Sequence, residues 1–220
     1  MAHDIPAVGK QFRIEGTLVS AEPYRSGHIN DTYLAKYSHA GSVRGYIHQR
    51  INHHVFKDPV ALMQNIQRVT DHLRKKLLAA GVPDVDRRTL TLVPTRDGQS
   101  CWHNANGDFW RTYLFVDRAQ TYDTVQSTDQ AFQAARAFGQ FQRWLSDLPA
   151  PRLVDTIPDF HNTPKRFAAL RQAIETDRSQ RAEAARAEIA FALEQEPMVS
   201  VLVDLQAKGE IPERISHNDT

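Results

Sequence analysis

The sequence predicts an α+β fold in which a lobe built on an antiparallel sheet precedes a mainly helical lobe. Two observations support this prediction. Residues 1–57 are rich in β-branched and aromatic side chains and show little helical periodicity, whereas residues 128–209 follow helical patterns almost throughout. Between these regions, a single helical stretch separates two sets of strand-like segments. The predicted order is three strands, one helix, three strands and then helices.

Three strands are expected near the N-terminus, at residues 17–21, 32–37 and 45–52. Ser26-Gly27 lies between the first two and Ala40-Gly41-Ser42 between the second and third. Small and conformationally permissive residues of this kind are typical of turns. The N-terminal region therefore predicts a three-stranded meander.

A helix is expected after these strands. Asp58 is a good N-cap, and Pro59 suits the first helical position because its missing N–H would be unsatisfied there. Apolar residues then recur at three- and four-residue steps until Gly81, which marks the end. These apolar residues are Leu62, Ile66, Val69, Leu73 and Leu77.

The strand pattern returns at residues 89–93, 100–104 and 109–116. Turns rich in Gly, Asp and Asn separate these segments, as in β-hairpins. Residues 117–129 are polar and lack periodicity. We therefore place the lobe boundary there, with residues 1–116 forming the sheet lobe and residues 117–220 the helical lobe.

The helical lobe is expected to contain several helices. An apolar stripe from residue 128 ends at Pro149, and Thr163-Pro164 starts a second helix. The Ala-, Glu- and Arg-rich residues 181–195 favour a third, and a last one runs from Pro197 to Gly209.

Charge and composition narrow the function. The 27 basic and 26 acidic side chains give a formal net charge of +1, which does not favour nucleic acid or an anionic membrane as a partner. No stretch approaches the roughly 18 apolar residues of a membrane span. Cys101 is the only cysteine, which excludes an intrachain disulfide and suits a reducing compartment. We therefore expect a cytoplasmic protein.

Five short segments stand out along the chain. They are GHINDTYL at 27–34, NHHVF at 52–56, FWRTY at 109–113, DFHNTPKRF at 159–167 and SHNDT at 216–220. In this order they resemble the bacterial N-acetylhexosamine 1-kinases, within the aminoglycoside phosphotransferase and choline kinase superfamily.

This resemblance implies a protein-kinase-like fold in which ATP lies between the two lobes. It further implies that Mg²⁺ assists and that the anomeric hydroxyl of GlcNAc or GalNAc is phosphorylated. Full-length members of that family continue well past Thr220. We therefore expect the chain to be truncated at the catalytic loop and to show little phosphoryl transfer by itself.

An aspartate two residues after a histidine is typical of the loop that carries the general base in protein-kinase-like folds. Here the two residues are His217 and Asp219. The carboxylate of Asp219, ionised at neutral pH, would orient the acceptor hydroxyl and take its proton. His217 would brace the loop by hydrogen bonding. The alternative is an ordinary surface loop, in which such a run is common.

The turn between the first two strands is expected to cover the nucleotide phosphates, as this hairpin does in kinase-type folds. Gly27 would let the backbone approach closely, and His28 and Asn30 would donate hydrogen bonds to phosphate oxygens. An ordinary hairpin turn is the alternative, because the segment is neither a Gly-x-Gly-x-x-Gly loop nor a P-loop.

The third strand departs from the kinase pattern, in which a lysine contacts the phosphates and pairs with a glutamate of the next helix. Gln49 takes the place of the lysine, and the helix offers Gln67 in place of the glutamate. Gln49 is therefore either an uncharged phosphate ligand or an ordinary strand residue. In a kinase-type fold, Phe115 and Val116 would stand at the hinge, where backbone groups read the adenine edge. A buried strand end is the alternative, and the two can both hold.

Three functions stay open on these grounds. The first is an ATP-dependent kinase for a small-molecule sugar, and the second is the same kinase with an aminoglycoside, choline, methylthiosugar or amino-acid acceptor. The third is a nucleotide-binding module without catalysis. His48, His53 and His54 lack a carboxylate or cysteine partner at a metal-binding spacing, so we assign them no metal. An exposed apolar face would let the chain self-associate.

Overall fold

The computed structural model describes residues 3–24 and 29–218. Its centre is a six-stranded antiparallel sheet with the order β1-β2-β3-β6-β4, in which β5 pairs with β6 beside β4. The strands are β1 (Thr17–Pro23), β2 (Asp31–His39), β3 (Ser42–Ile51), β4 (Leu92–Val93), β5 (Trp102–His103) and β6 (Phe109–Leu114).

Helices cover the remaining regular structure. They are α1 (Ile5–Gly9), α2 (Pro59–Ala79), α3 (Val85–Arg88), α4 (Thr128–Leu145), α5 (Thr163–Thr176), α6 (Arg186–Glu194) and α7 (Val201–Ala207), with a 3₁₀ turn at Glu196–Met198. This arrangement confirms the predicted α+β class, and the predicted strands and helices follow in the expected order, with α1 and α3 as additional short helices. Within the described ranges, no helix combines the length and apolar character needed to cross a bilayer.

The fourth and fifth strands are shorter than the sequence predicts, with two residues each. Pro94 directly follows β4 and has no N–H for the ladder, so pairing with β6 stops at Val93. After β5, the side chain of Asn104 accepts hydrogen bonds from the backbone N–H groups of Asn106 and Asp108, at 3.0 and 2.8 Å. This local turn ends the strand.

The helix α1 is absent from the sequence prediction, although its signals are present. The side chain of Asp4 accepts a hydrogen bond from the N–H of Ala7, and a proline stands in the first turn. Ile5, Val8 and Phe12 are buried in the main hydrophobic core. They pack on the face of the sheet that carries aromatic residues such as Tyr46 and Trp110.

The helix α2 confirms its predicted start and end. The side chain of Asp58 accepts from the N–H of Ala61 at 2.9 Å, and the chain turns at Gly81 with a positive φ. Polar side chains of α2 hold the segment after α4. Arg68 donates to the carbonyl oxygens of Pro149 and Pro151, at 2.8 and 2.7 Å. The helix thus links the sheet to residues 144–154.

The described residues form two compact units. One contains the sheet and α1 to α4 and comprises residues 1–156 together with 216–220; the other comprises residues 157–215 and contains α5 to α7. In the second unit, Arg171 pairs with Glu196 and lies over the ring of Phe167. The lobe boundary after residue 116 stays a prediction.

Candidate functional site

A cleft of about 220 Å³ opens on one face of the sheet. It lies beside the start of β2, the middle of β3 and the end of β6. The predicted site residues Gln49, Phe115 and Val116 all line it. The other lining residues are Tyr24, Thr32, Ile47, Leu90, Tyr113 and Leu114.

Strand register sets the direction of the cleft. Alternate residues of a strand face the same side, so Gly45, Ile47 and Gln49 share one face of β3. The N–H of Phe115 donates to the carbonyl oxygen of Gly45 at 3.1 Å, and Gln49 pairs with Arg111. The floor of the cleft therefore runs from Phe115 to Gln49, about 13 Å along β3.

The Phe115 end of the cleft is largely apolar. The rings of Tyr24 and Phe115 meet edge to face with centroids 5.8 Å apart. Gly45 makes room for Phe115, because a Cβ there would lie 3.1 Å from two atoms of that side chain. Across residues 3–24 and 29–218, no hydrogen bond uses the backbone N–H or carbonyl oxygen of Val116. A flat heteroaromatic ring would find apolar walls and a free backbone donor and acceptor here.

The Gln49 end of the cleft is polar and ordered. The side-chain Nε2 of Gln49 donates to Thr32 Oγ1 at 2.7 Å. Its Oε1 accepts two hydrogen bonds from Arg111, of which the one from Nε is 2.9 Å long. Since Gln49 is only 8% exposed, these two residues fix its orientation.

Arg111, to which the sequence assigned no role, lies beside Gln49 at this end of the cleft. Burial lowers the pKa of its guanidinium, but arginine starts so high that it stays charged at neutral pH. Its remaining polar contact is weak, with Nη1 lying 3.8 Å from the sulfur of Met63. No carboxylate in the described part of the chain pairs with it. The cleft thus has an uncompensated positive charge directly behind Gln49.

One signal for Arg111 was available. It is a lone arginine in a strand otherwise composed of Phe109, Trp110, Thr112, Tyr113 and Leu114, and a charge in such a strand is rare unless it has a role.

The helix α2 offers Met63, not Gln67, to this end of the cleft. Met63 is fully buried. Gln67 lies one turn further along and lines a second cavity of about 360 Å³, together with Asp71 and Arg74. Gln67 therefore does not take the position that the helix glutamate has in kinases. The guanidinium of Arg111 contacts the thioether of Met63 there.

The structure describes only one of the three residues that were predicted to cover the phosphates from the hairpin between β1 and β2. Gly27 and His28 lie outside the described residues. Asn30 holds the base of the hairpin, because its Oδ1 accepts from the N–H of Asn52 at 2.9 Å. Asn52 in turn donates through its side chain to the carbonyl oxygen of Ile29 at 3.0 Å. Asn30 is thus tied to the end of β3 and is not a lining residue of the cleft.

The predicted catalytic loop is described up to Asn218, so Asp219 lies outside the described residues. His217 meets two rings of α4 edge-on, those of Phe138 and Phe141, with centroids 5.7 and 6.3 Å away. Asn218 adopts a positive φ of 68° and accepts a hydrogen bond from the hydroxyl of Ser216. His217 is therefore packed on α4 and does not line the cleft.

The histidines that the structure describes do not gather into a metal site. His48 lies in the core, hydrogen bonded to Thr112 and Tyr37 at 2.7 and 3.2 Å. The rings of His53 and His54 lie against each other with centroids 4.5 Å apart. Among residues 3–24 and 29–218, no three His, Cys, Asp or Glu side chains come together as metal ligands. We therefore assign no metal ion to these histidines.

The chain resembles the crystal structure of spectinomycin phosphotransferase in complex with ADP and spectinomycin, at 14% sequence identity and a TM-score of 0.46. The match covers 90% of this chain and 55% of that one, so the chain spans about half the length of that protein. Residues 20–220 match the model of the phosphotransferase enzyme family, known as APH. Because this match takes in nearly the whole chain, the protein belongs to the phosphotransferase enzyme family.

Proposed function

We propose that this chain provides the nucleotide-binding part of an ATP-dependent kinase that phosphorylates a hydroxyl group of a small molecule. The family assignment supports phosphoryl transfer as the reaction class. The observation that carries the proposal is the cleft, because it joins an apolar slot at Phe115 to a polar end at Gln49.

The apolar slot suits adenine. Its walls include Tyr24, Ile47 and Phe115, and the backbone of Val116 is available to the edge of a base. Adenine presents one donor and one acceptor on its Watson–Crick edge, which a backbone carbonyl and N–H can satisfy. The distance of about 13 Å along β3 from Gly45 to Gln49 leaves room for the ribose between base and phosphates.

The acceptor hydroxyl would be activated by Asp219. Its carboxylate accepts the proton as the hydroxyl oxygen forms a bond to the γ-phosphorus and the bond to the β,γ-bridging oxygen breaks, leaving ADP. Mg²⁺ supplies charge neutralisation in this class of reaction. Since the described residues offer no cluster that fits it, we assign no ligand to the metal.

For the acceptor we propose N-acetylhexosamine, phosphorylated at C1. The support is the ordered set of five segments along the chain, from GHINDTYL to SHNDT. An aminoglycoside, choline, a methylthiosugar and an amino acid are the competing acceptors. The protein would act in the cytoplasm on a sugar formed or imported there.

A second candidate is a nucleotide-binding module that does not transfer phosphate. One observation favours it: the neutral Gln49 stands where the kinase pattern predicts a lysine. Nucleotide binding is common to both candidates. Phosphoryl transfer to an acceptor is expected only of the first candidate, so it distinguishes the two.

Nucleotide binding is tested by calorimetry on the 220-residue chain with adenosine, inosine and ATP. Inosine reverses the donor and acceptor on the base edge, so adenosine should bind at least about tenfold more tightly. Equal affinity for the two nucleosides would show that the hinge backbone does not read the base. Failure to bind any of the three ligands would refute the proposal.

Transfer is tested on the full-length gene product with MgATP and a panel of acceptors, following sugar 1-phosphate by ³¹P NMR. Asp219→Asn should abolish product while leaving ATP affinity within about twofold, because the amide cannot accept the proton. Product from another acceptor alone would replace N-acetylhexosamine as the substrate. Absence of product from every acceptor would favour the non-catalytic candidate.

A further inference from the structure

We infer that Arg111 is a positioning residue that acts through Gln49 to hold the hydroxyl of Thr32 as a hydrogen-bond donor for an anionic oxygen in the cleft. This inference rests on the proposed function where it identifies that oxygen as part of a nucleotide phosphate. It adds a residue of the neighbouring strand β6 that supplies the positive charge missing at position 49 of β3, where kinases carry a lysine.

The first step is the orientation of the Gln49 amide. Arginine has five N–H donors and no acceptor, so the group that faces Arg111 must be the amide oxygen. The two hydrogen bonds from Arg111 to Oε1 agree with this. The amide nitrogen must then face the opposite side, where it lies 2.7 Å from Thr32 Oγ1.

The second step is the direction of the Thr32 hydroxyl. Its oxygen accepts a proton from the amide of Gln49, so its own proton is left for another acceptor. Thr32 and Gln49 both line the cleft, and both are more than nine-tenths buried. The described residues supply no acceptor for this hydroxyl. The cleft therefore contains an ordered donor that is available to a hydrogen-bond acceptor from outside the chain.

The third step is charge. The guanidinium of Arg111 polarises the amide, and hydrogen bonds in a chain strengthen one another. Its positive charge is matched by no carboxylate within the described ranges, and its other neighbours are Met63 and the ring of Tyr113, 6.0 Å away. An anion at Thr32 would interact favourably with both the hydroxyl and the partly buried charge of Arg111. A phosphate oxygen suits this position because it accepts hydrogen bonds and is negatively charged.

Register explains why these three residues meet. Thr32 pairs with Gln49 across β2 and β3, and Gln49 pairs with Arg111 across β3 and β6. One row of side chains therefore crosses three adjacent strands on the same face of the sheet. The row places the cation furthest from the ligand and the hydroxyl nearest to it.

The test compares the affinities of ATP, adenosine and inorganic pyrophosphate by calorimetry. Thr32→Val removes the hydroxyl and keeps the shape of the side chain, whereas Thr32→Ser keeps the hydroxyl. Thr32→Val and Arg111→Met should each weaken ATP about tenfold, the size expected for a hydrogen bond to a charged group. Adenosine should bind within about twofold of the wild type in both. Thr32→Ser should bind ATP nearly as the wild type does.

Thr112→Val is the matched control. Thr112 is also a buried threonine of the sheet, but it faces the opposite side and is bonded to His48 at 2.7 Å. It should lose stability without losing selective affinity for ATP. Gln49→Glu adds a second readout. The new carboxylate would form an ion pair with Arg111 and accept the hydrogen bond of the Thr32 hydroxyl, which would then no longer donate to a ligand. That variant should unfold at a higher temperature and yet bind ATP more weakly.

The outcomes separate the inference from the proposed function. If adenosine binds but Thr32→Val leaves ATP affinity unchanged, the nucleotide site stands and the inference is wrong. If Arg111→Met weakens ATP and adenosine equally, Arg111 is a structural residue and the inference is also wrong. If pyrophosphate binds through Thr32 while adenosine does not bind, the anion site stands and the nucleotide proposal fails. If Arg111→Met does not fold, Arg111→Lys and Thr32→Val decide, with Lys expected to be intermediate.

Discussion

Phe115 occupies the space that a side chain on Gly45 would need, with two of its atoms 3.1 Å from the position of a Cβ. The two residues also share a backbone hydrogen bond across the sheet, so neither can move freely. The apolar end of the cleft therefore depends on a glycine in a strand, a residue that strands otherwise disfavour.

We predict that Gly45→Ala weakens adenosine binding at least about fivefold, because the added methyl group displaces the ring of Phe115 from the slot. Calorimetry with adenosine measures this. The control is Gly139→Ala in α4, where an added Cβ meets no described atom within 4 Å. That variant should keep its affinity and gain about 0.5–1 kcal/mol of stability. If Gly45→Ala bound adenosine with unchanged affinity, Phe115 could not be part of the proposed site for the base.

A second glycine, Gly9, lies against the other face of the sheet and leads to a prediction about the stability of the fold. A Cβ on Gly9 would lie 2.0 Å from the hydroxyl of Tyr37, which is buried and hydrogen bonded to His48. Gly9→Ala should therefore lower the free energy of unfolding by about 1–3 kcal/mol.

Urea denaturation measures the Gly9 effect. The double variant Gly9→Ala/Tyr37→Phe lacks the clashing oxygen, so it should be less destabilised than the sum of the two single changes. Strict additivity would show that the two residues do not compete for this space.

His48 should make stability depend on pH. Burial lowers its pKa to about 4 from an ordinary value of 6.5. The folded state thus keeps the ring neutral while the unfolded state takes up a proton, so stability is fully present above pH 6.5 and falls as the pH drops toward 4. The total loss should be about 3 kcal/mol.

Urea denaturation between pH 4 and pH 7.5 measures this slope. His48→Gln should flatten it, because the variant has no imidazole to titrate at this position. The neighbours of the His48 ring do not compete in this window, because Thr112 does not titrate and burial raises the pKa of Tyr37 to about 12. A slope that survives in His48→Gln would assign the effect to another group.

Self-association is the fourth prediction. Five apolar side chains between residues 191 and 202 are at least a third exposed, among them Phe191, Met198 and Leu202 at 66–68%. Exposed apolar surface of this kind favours contact with a second copy. Sedimentation velocity should show concentration-dependent dimers or larger species. Leu202→Glu should reduce them, with Lys208→Gln as the control, because it lowers the net charge by the same single unit. A monomer at all concentrations would contradict the prediction.

Local signals predicted the helices and first strands well. The helix α2 was predictable because Asp58, Pro59 and Gly81 mark its ends within the sequence itself. In contrast, α1 has five residues, too few for an apolar period to emerge, and its stability comes from burial of Ile5 and Val8 against distant strands.

The site was predicted only in part, for reasons of geometry. Gln49, Phe115 and Val116 could be placed because they follow from the order of the strands. The partnership of Gln49 with Arg111 depends on the register between β3 and β6, which joins residues 62 positions apart. The sequence pointed to Gln67 on α2, whereas Met63, one helical turn earlier, is the residue that contacts Arg111. Periodicity alone cannot distinguish these positions because both lie on the same face of the helix.

The adjacent pairs of β3 and β6 also have a consequence for folding. Gln49 meets Arg111 on one face of the sheet, and next to them His48 meets Thr112 on the other. A slip of one residue between these strands would turn the guanidinium into the aromatic interior and separate both pairs at once. The two polar contacts therefore fix the register between β3 and β6. The residues that order the cleft also disfavour misaligned pairing of these strands.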